Sequence, residues 1–549
     1  MPVLTDIRNW REIMKKLTFI LFLLVTMLAI VSCPDTPSGP NNPAGPNGPN
    51  NNEVVTRKFW AQNSASSPPT FYQLDADRLA SNSICEVWAE RGSGVTAAIA
   101  QNIANEYDSN IYIKMINTFG WQADIELTDG TTKKMNTMEF AHALATGKSG
   151  AKLTILLLDI KDGYTDENDP YLGGYFYPVD LRENDPKDPV YKYSNVLDMI
   201  YLDTYPSEHG SPDSNGTLAH EMQHLMNFVT SVVLIANKKR TTVMDTWIDE
   251  GLSGAAEWVY SGKHPENRLK NYNEDWSGLI KKGNNFFIWD NHDDNQYAIL
   301  DDYATAYLFF QYLRLQADNS NNIYYDISTS KSSDYNAVTT SASINANHKN
   351  NWPLLLRDWH AANFTNAPNG LYGYKDEKDL KTVKAPMFSG GNSTPLFPGE
   401  GVYSKTTTAE TVPAASGNIK YAGLNSGSGT PNDTNGPANG ARLTYNVNTN
   451  NKEGVAAETG STTGIASSIG ISTPVGGSSV QIAPKKFSGP FKVDIGYFNR
   501  GNADSGVSDN IIRNLFNRNK NSSNSRNAGK SDITLKFDLS TLERVHIDE

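Results

Sequence analysis

The stretch Leu218-Ala219-His220-Glu221-Met222-Gln223-His224-Leu225-Met226 constrains this chain more than any other. Residues four apart on an α-helix lie one turn apart on the same face. His220 and His224 can therefore aim both imidazoles at one point, with Glu221 beside His220 on the same side. Leu218, Met222, Leu225 and Met226 give the helix a second, apolar surface. Such a helix is buried and offers one polar cluster. Two imidazoles so placed can share a metal ion, and an adjacent carboxylate can move a proton. Five residues alone also match by chance, in helices whose histidines are merely hydrogen-bonded, so the surrounding chain has to supply more.

A further ligand stands downstream in Thr246-Trp247-Ile248-Asp249-Glu250-Gly251-Leu252-Ser253-Gly254-Ala255-Ala256-Glu257. This reads as a helix with Trp247, Leu252, Ala255, Ala256 and Val259 turned mostly inward. A catalytic zinc takes three protein ligands and keeps one position open, and two histidines with one glutamate are a known set. Glu250 is the expected third ligand. Glu257, seven residues on, shares its face, and is expected behind the ligands or as a solvated charge. His142, His209, His264, His292, His348, His360 and His546 have no partner at helical spacing and read as ordinary histidines. The acidic runs 166–169 and 290–294 lack the spacing of a calcium loop and read as solvated loops. A third histidine six residues beyond His224 is absent, that position being Thr230.

The N-terminus reads as an export signal. Lys15 and Lys16 precede an apolar run from Leu17 to Ile30, too short to span a bilayer comfortably, followed by Val31, Ser32 and Cys33. Ile30-Val31-Ser32-Cys33 resembles a bacterial lipobox, which implies that Cys33 is lipidated and becomes the new N-terminus. Met14 is a natural alternative start. A signal anchor, or plain secretion with an unmodified Cys33, are the alternatives. Residues 1–32 are thus expected as a signal peptide and 33–54 as a lipidated, flexible Pro/Asn/Gly tether. This places the protein in a bacterial cell envelope, anchored to a membrane on its outer side, at the outer membrane or cell surface.

The chain has 549 residues, 38% hydrophobic and 20% charged, enough to build a large core behind such a tether. Its net charge of −12 argues against a nucleic-acid partner, which needs a basic face. Its two cysteines are Cys33 and Cys85, so with Cys33 lipidated no disulfide forms and a zinc site built on paired cysteines is excluded. Cys85 reads as a structural thiol in a half-buried strand. Strand-like runs at 71–88, 153–158 and 196–203, with helical patterns at 95–107, 217–236, 246–260, 301–316 and 352–363, predict an α+β domain over 55–385. From 386 to 549 the composition turns to Gly, Asn, Ser and Thr, with short strands expected near 419–421, 441–447, 491–497 and 533–537. This reads as a β-rich C-terminal appendage with low-complexity loops.

His220-Glu221-x-x-His224 followed by Trp247-Ile248-Asp249-Glu250-Gly251 resembles the gluzincins, the thermolysin-like and aminopeptidase-like zinc peptidases. Gly173-Gly174-Tyr175-Phe176, Ser194-Asn195, Met199-Ile200-Tyr201-Leu202-Asp203 and Glu250-Gly251-Leu252-Ser253 add a resemblance to the hyicolysin family of bacterial extracytoplasmic metalloendopeptidases, over roughly 55–385. The resemblance implies a zincin catalytic domain with a mixed sheet and a helical lower half, one zinc ion per chain, Glu221 as general base, and protein or peptide substrates. It also implies a tyrosine as oxyanion donor. Tyr303 is similar in placement to the aminopeptidase-like catalytic tyrosine, with Tyr307 one turn on; both could instead be core aromatics. Two departures stand out. Gly254 occupies the position where thermolysin-like enzymes place an aspartate that orients a histidine. The exopeptidase motif Gly-x-Met-Glu-Asn is absent before the zinc helix, which favours an endopeptidase. The competing expectation is a surface lipoprotein that binds a host or matrix protein without cleaving it.

Overall fold

A computed structural model describes residues 54–66, 69–126, 131–165, 170–275, 277–283, 287, 298–388, 393–425, 430–449, 455–458, 491–494 and 536–547. The export signal, Cys33, the tether and both acidic runs lie outside the described residues.

The described residues form one compact unit built on a seven-stranded mixed sheet. Its strands run in the order β1 (Thr56–Asn63), β2 (Thr70–Ser81), β3 (Cys85–Glu90), β6 (Leu153–Leu158), β8 (Met199–Asp203), β7 (Pro170–Tyr175) and β16 (Phe491–Asp494). The β3–β6 and β6–β8 pairs are parallel, while β1–β2, β2–β3 and β7–β8 are antiparallel. Every residue of β6 is buried, which is why it reads as an unbroken apolar run rather than an alternating one. Leu153, Ile155 and Leu157 face the helices. Leu156 and Leu158 face the other way, into a cluster with Phe59, Leu74 and Trp88. Cys85 is fully buried at the start of β3, and burial pushes its thiol up to about 12, so it serves as a small apolar filler. A smaller antiparallel sheet joins β4 (Trp121–Glu126) to β5 (Thr132–Asn136).

Three helices, α1 (Ala97–Glu106), α2 (Tyr112–Phe119) and α3 (Thr137–Thr146), precede β6. Then comes α4, Pro212–Ala236, which starts earlier than its apolar pattern suggests. Ser211 caps it by accepting from the Ser214 amide, and Pro212 occupies the first turn, where its missing N–H costs nothing. The helix is buried from Ser214 to Leu234 and packs on β7 and β8. Gly174 on β7 permits the close approach: a Cβ there would lie 2.8 Å from the Tyr201 carbonyl oxygen and 2.9 Å from the Thr217 methyl. Next follow α5 (Thr246–Ser261), α6 (Glu266–Glu274) and α7 (Ala298–Gln316). A Cβ on Gly251 would meet the Phe310 ring at 2.2 Å, so glycine sets how closely α5 and α7 cross. Short helices α8 (Asn322–Ser328) and α9 (Tyr335–Thr339) lead to α10 (Trp352–Thr365).

The C-terminal region is β-rich, as its composition suggested. It comprises β9 (Ser393–Leu396), β10 (Gly401–Thr406), β11 (Glu410–Thr411), β12 (Ile419–Leu424), β13 (Asn435–Gly436), β14 (Gly440–Asn446), β15 (Val455–Glu458), β16 and β17 (Lys536–Arg544). It does not stand apart as an appendage. Tyr403, Leu443, Tyr445 and Val545 join the same core as the α4 and α5 side chains. His360 of α10 receives the Tyr403 hydroxyl on its carbonyl at 2.9 Å. Beyond this, β16 pairs in parallel with β7, and β17 pairs with β4, closing two sheets of the N-terminal half. Leu396, Val402, Val412, Ile419 and Tyr421 form a small apolar cluster of their own, while Tyr403, Leu424, Ala441, Leu443 and Tyr445 continue the main core, so composition changes at 386 but the core does not end there.

Candidate metal centre

His220 and His224 project from consecutive turns of α4 and are both essentially unexposed, their ring centroids 4.8 Å apart. Glu250, on α5, reaches across the helix pair. Its Oε2 lies 3.3 Å from Nε2 of His220 and 3.4 Å from Nε2 of His224. The three ligand atoms lie within 4.8 Å of one another, and among the described residues no other trio of His, Cys, Asp or Glu converges in this way. Zinc bonds of about 2.0–2.1 Å in a tetrahedron would hold neighbouring ligand atoms about 3.3 Å apart. The two spacings to Glu250 match that requirement, and the donor set of two imidazoles and a carboxylate suits zinc. The structure thus brings together the three residues that the sequence singled out.

The outer nitrogens are held as well. Nδ1 of His220 meets Oε1 of Glu257 at 2.9 Å, and Nδ1 of His224 meets Oδ2 of Asp249 at 2.9 Å. A carboxylate against Nδ1 keeps a proton on that nitrogen, so Nε2 is the nitrogen left to meet a metal. Glu257 is thus buried behind His220 rather than standing free in solvent. Asp249 was not singled out by the sequence, although it adjoins Glu250. Asn227, one turn below His224, donates to its other oxygen. The departure at Gly254 is also explained. A side chain there would point at Tyr307, whose Cδ2 lies 3.4 Å from a Cβ built on Gly254. The orienting carboxylate comes from Glu257, one turn farther along α5.

Charge dominates the electrostatics. Burial alone would lower the pKa of His224, but Asp249 and Glu250 outweigh it and hold the imidazole well above its usual range. Burial would likewise raise Glu250, yet His224 and His220 draw it down to about 2. Glu250 is thus a carboxylate at any ordinary pH, as a ligand must be. Glu221 lies next to His220 on α4 and is fully buried beside the cluster.

The two tyrosines separate. The Tyr303 ring centroid is 6.3 Å from that of His220, and Tyr303 is 3% exposed. Tyr307 points elsewhere: its hydroxyl is 2.6 Å from Nδ1 of His264, whose Nε2 is 2.7 Å from Glu377. Arg268 of α6 lies beside the centre with its guanidinium carbon 4.9 Å from the Tyr303 ring centroid. No local sequence pattern pointed to it. Three other histidines are held by hydrogen bonds away from the centre: His142 is bonded to Asp198, His348 to Asp358, and His360 to Tyr403 and Gly399.

No family model matches the chain. The chain is similar to the neutral metalloprotease ShpI of Staphylococcus hyicus, with 30% identity over 301 residues, or 53% of this chain and 58% of that protein. The chain thus spans a little over half the length of this curated relative.

Proposed function

We propose that this protein is a zinc-dependent endopeptidase acting on proteins or peptides outside the cytoplasm. The observation that carries the reading is the convergence of Nε2 of His220 and Nε2 of His224 on Oε2 of Glu250, at 3.3 and 3.4 Å, with both Nδ1 atoms held by carboxylates. The similarity to a neutral metalloprotease supports it. Zinc bound there would supply a Lewis acid that polarises a scissile carbonyl and acidifies water.

The chain's own residues do the rest. Glu221 takes a proton from the attacking water and delivers it to the departing amine nitrogen. Asp249 and Glu257 keep the two imidazoles in one tautomer and orientation through the cycle. Tyr303 donates its hydroxyl to the carbonyl oxygen as negative charge develops there, a contact worth most in the transition state. Tyr307, committed to His264, takes no part. The absence of the exopeptidase motif supports internal cleavage. Lipidation at Cys33 would anchor the enzyme in the envelope, with residues 34–52 as its tether.

Digestion of casein tests the reading. Cleavage by the purified chain should stop on addition of a zinc chelator and return with zinc. Binding of proteins without any cleavage, with or without zinc, would favour the non-catalytic surface lipoprotein instead.

A further inference from the structure

One guanidinium joins three helices beside the metal centre. Arg268 sits on α6, is 8% exposed, and donates through Nη2 to Oε1 of Glu257 on α5. That same oxygen accepts from Nδ1 of His220 on α4. The other side of the guanidinium covers the ring of Tyr303 on α7, 4.9 Å from its centroid. A buried arginine needs a carboxylate partner, and Glu257 supplies it. The flat face left over favours an aromatic ring. Arg268 therefore touches both the group that holds a metal ligand and the group proposed to meet the oxyanion.

We infer that Arg268 is a positioning residue that couples the grip of Glu257 on His220 to the placement of Tyr303. Anchored to Arg268, Glu257 cannot swing away from Nδ1 of His220, so the imidazole keeps its aim at the metal. Lying over the ring, the guanidinium fixes the angle from which the Tyr303 hydroxyl approaches the centre. The chemistry asks for arginine in particular. A lysine ammonium is a compact charge that can pair with Glu257, but it has no planar face to lie over Tyr303 at the same time. The catalytic half of this inference rests on the peptidase reading above; the metal-holding half stands without it.

The test uses the full chain and two readouts. Zinc affinity is measured by competition with a chromogenic chelator, and peptide cleavage by kcat and KM. Arg268→Met is expected to raise the zinc Kd about 10- to 100-fold, the usual effect of losing a group behind a ligand. Added to Glu257→Gln it should cause little further loss, because both act through one oxygen. Arg268→Lys, which also guards against a misfolded Met variant, should keep most of the zinc affinity while kcat falls and KM holds. Its effect on kcat should not add to that of Tyr303→Phe. An unchanged zinc Kd in Arg268→Met, a loss fully additive with Glu257→Gln, or a wild-type kcat in Arg268→Lys would each overturn the coupling. A native chain that binds zinc but cleaves no peptide would sink the peptidase reading, while the zinc titrations would still decide the role of Arg268 behind Glu257.

Discussion

Asp249 and His224 meet through Oδ2 and Nδ1 at 2.9 Å, although Asp249 is the immediate neighbour of Glu250, which faces the same histidine from its other side. Two consecutive residues of α5 thus address opposite nitrogens of one imidazole. A helix turns by about 100° per residue, which swings neighbouring side chains apart enough to bracket the ring.

The bracket predicts a graded effect. Asp249→Ala should keep zinc binding but weaken it about 10- to 100-fold, since the ligand remains and only its support is lost. Glu250→Ala should abolish tight binding. Isothermal titration with zinc distinguishes the two; equal affinities for the two variants would reverse the assigned roles.

Glu221→Gln separates holding from chemistry. The amide keeps the shape but cannot take a proton. Zinc content should match the wild type, while kcat falls by about 10² or more, the usual share of general acid–base catalysis. Full turnover with zinc bound would remove Glu221 from the mechanism.

The two tyrosines predict opposite signatures. Tyr303→Phe should lower kcat on the order of 10²-fold, with little change in KM, because an oxyanion donor matters mainly in the transition state. Tyr307→Phe should leave kcat near normal but destabilise the fold by about 1 kcal/mol, since the His264 nitrogen loses its hydrogen-bond partner. Steady-state kinetics and urea melts on both variants check this pair.

Much of this centre was legible in the sequence, and the reasons are physical. His220, Glu221 and His224 lie within two turns of one helix, so spacing alone fixes their common face. Glu250 and Glu257 share a face of a second helix by the same rule. Asp249 and Arg268 escaped because their roles depend on how α4, α5 and α6 pack, which no periodicity encodes. Gly254 looked like a lost functional residue; in the fold it marks where α5 passes Tyr307. The strands near 491 and 536 were readable as strands, but their partners, β7 and β4, lie hundreds of residues earlier. A composition boundary at 386 therefore suggested a separate piece where the chain in fact returns to its first sheets. The start of α4 was missed because Ser211-Pro212 is a cap signal outside the apolar pattern.

His360 makes a pH prediction. Its ring is buried where α10 meets β10, so tightly that a Cβ on Gly401 would lie 2.6 Å from Cε1. Burial lowers its pKa from 6.5 to about 4. The unfolded chain therefore binds the proton first as pH falls. Stability supplied by the neutral ring is whole above about 6.5 and is lost progressively as pH falls toward 4, by on the order of 3 kcal/mol. His360→Gln should be less stable at neutral pH, and its denaturation midpoint should fall less between these pH values than that of the wild type. Parallel pH profiles for the two proteins would contradict this account.

On the peptidase reading proposed above, one zinc ion at His220, His224 and Glu250 drives peptide cleavage. Stepwise return of zinc to the metal-free chain, with the initial rate of cleavage of a quenched-fluorescent peptide recorded at each step, tests it most directly. The rate should rise from the background in proportion to zinc and level off at one ion per chain. Cleavage already complete in the metal-free chain, or none at any zinc level, would contradict the account.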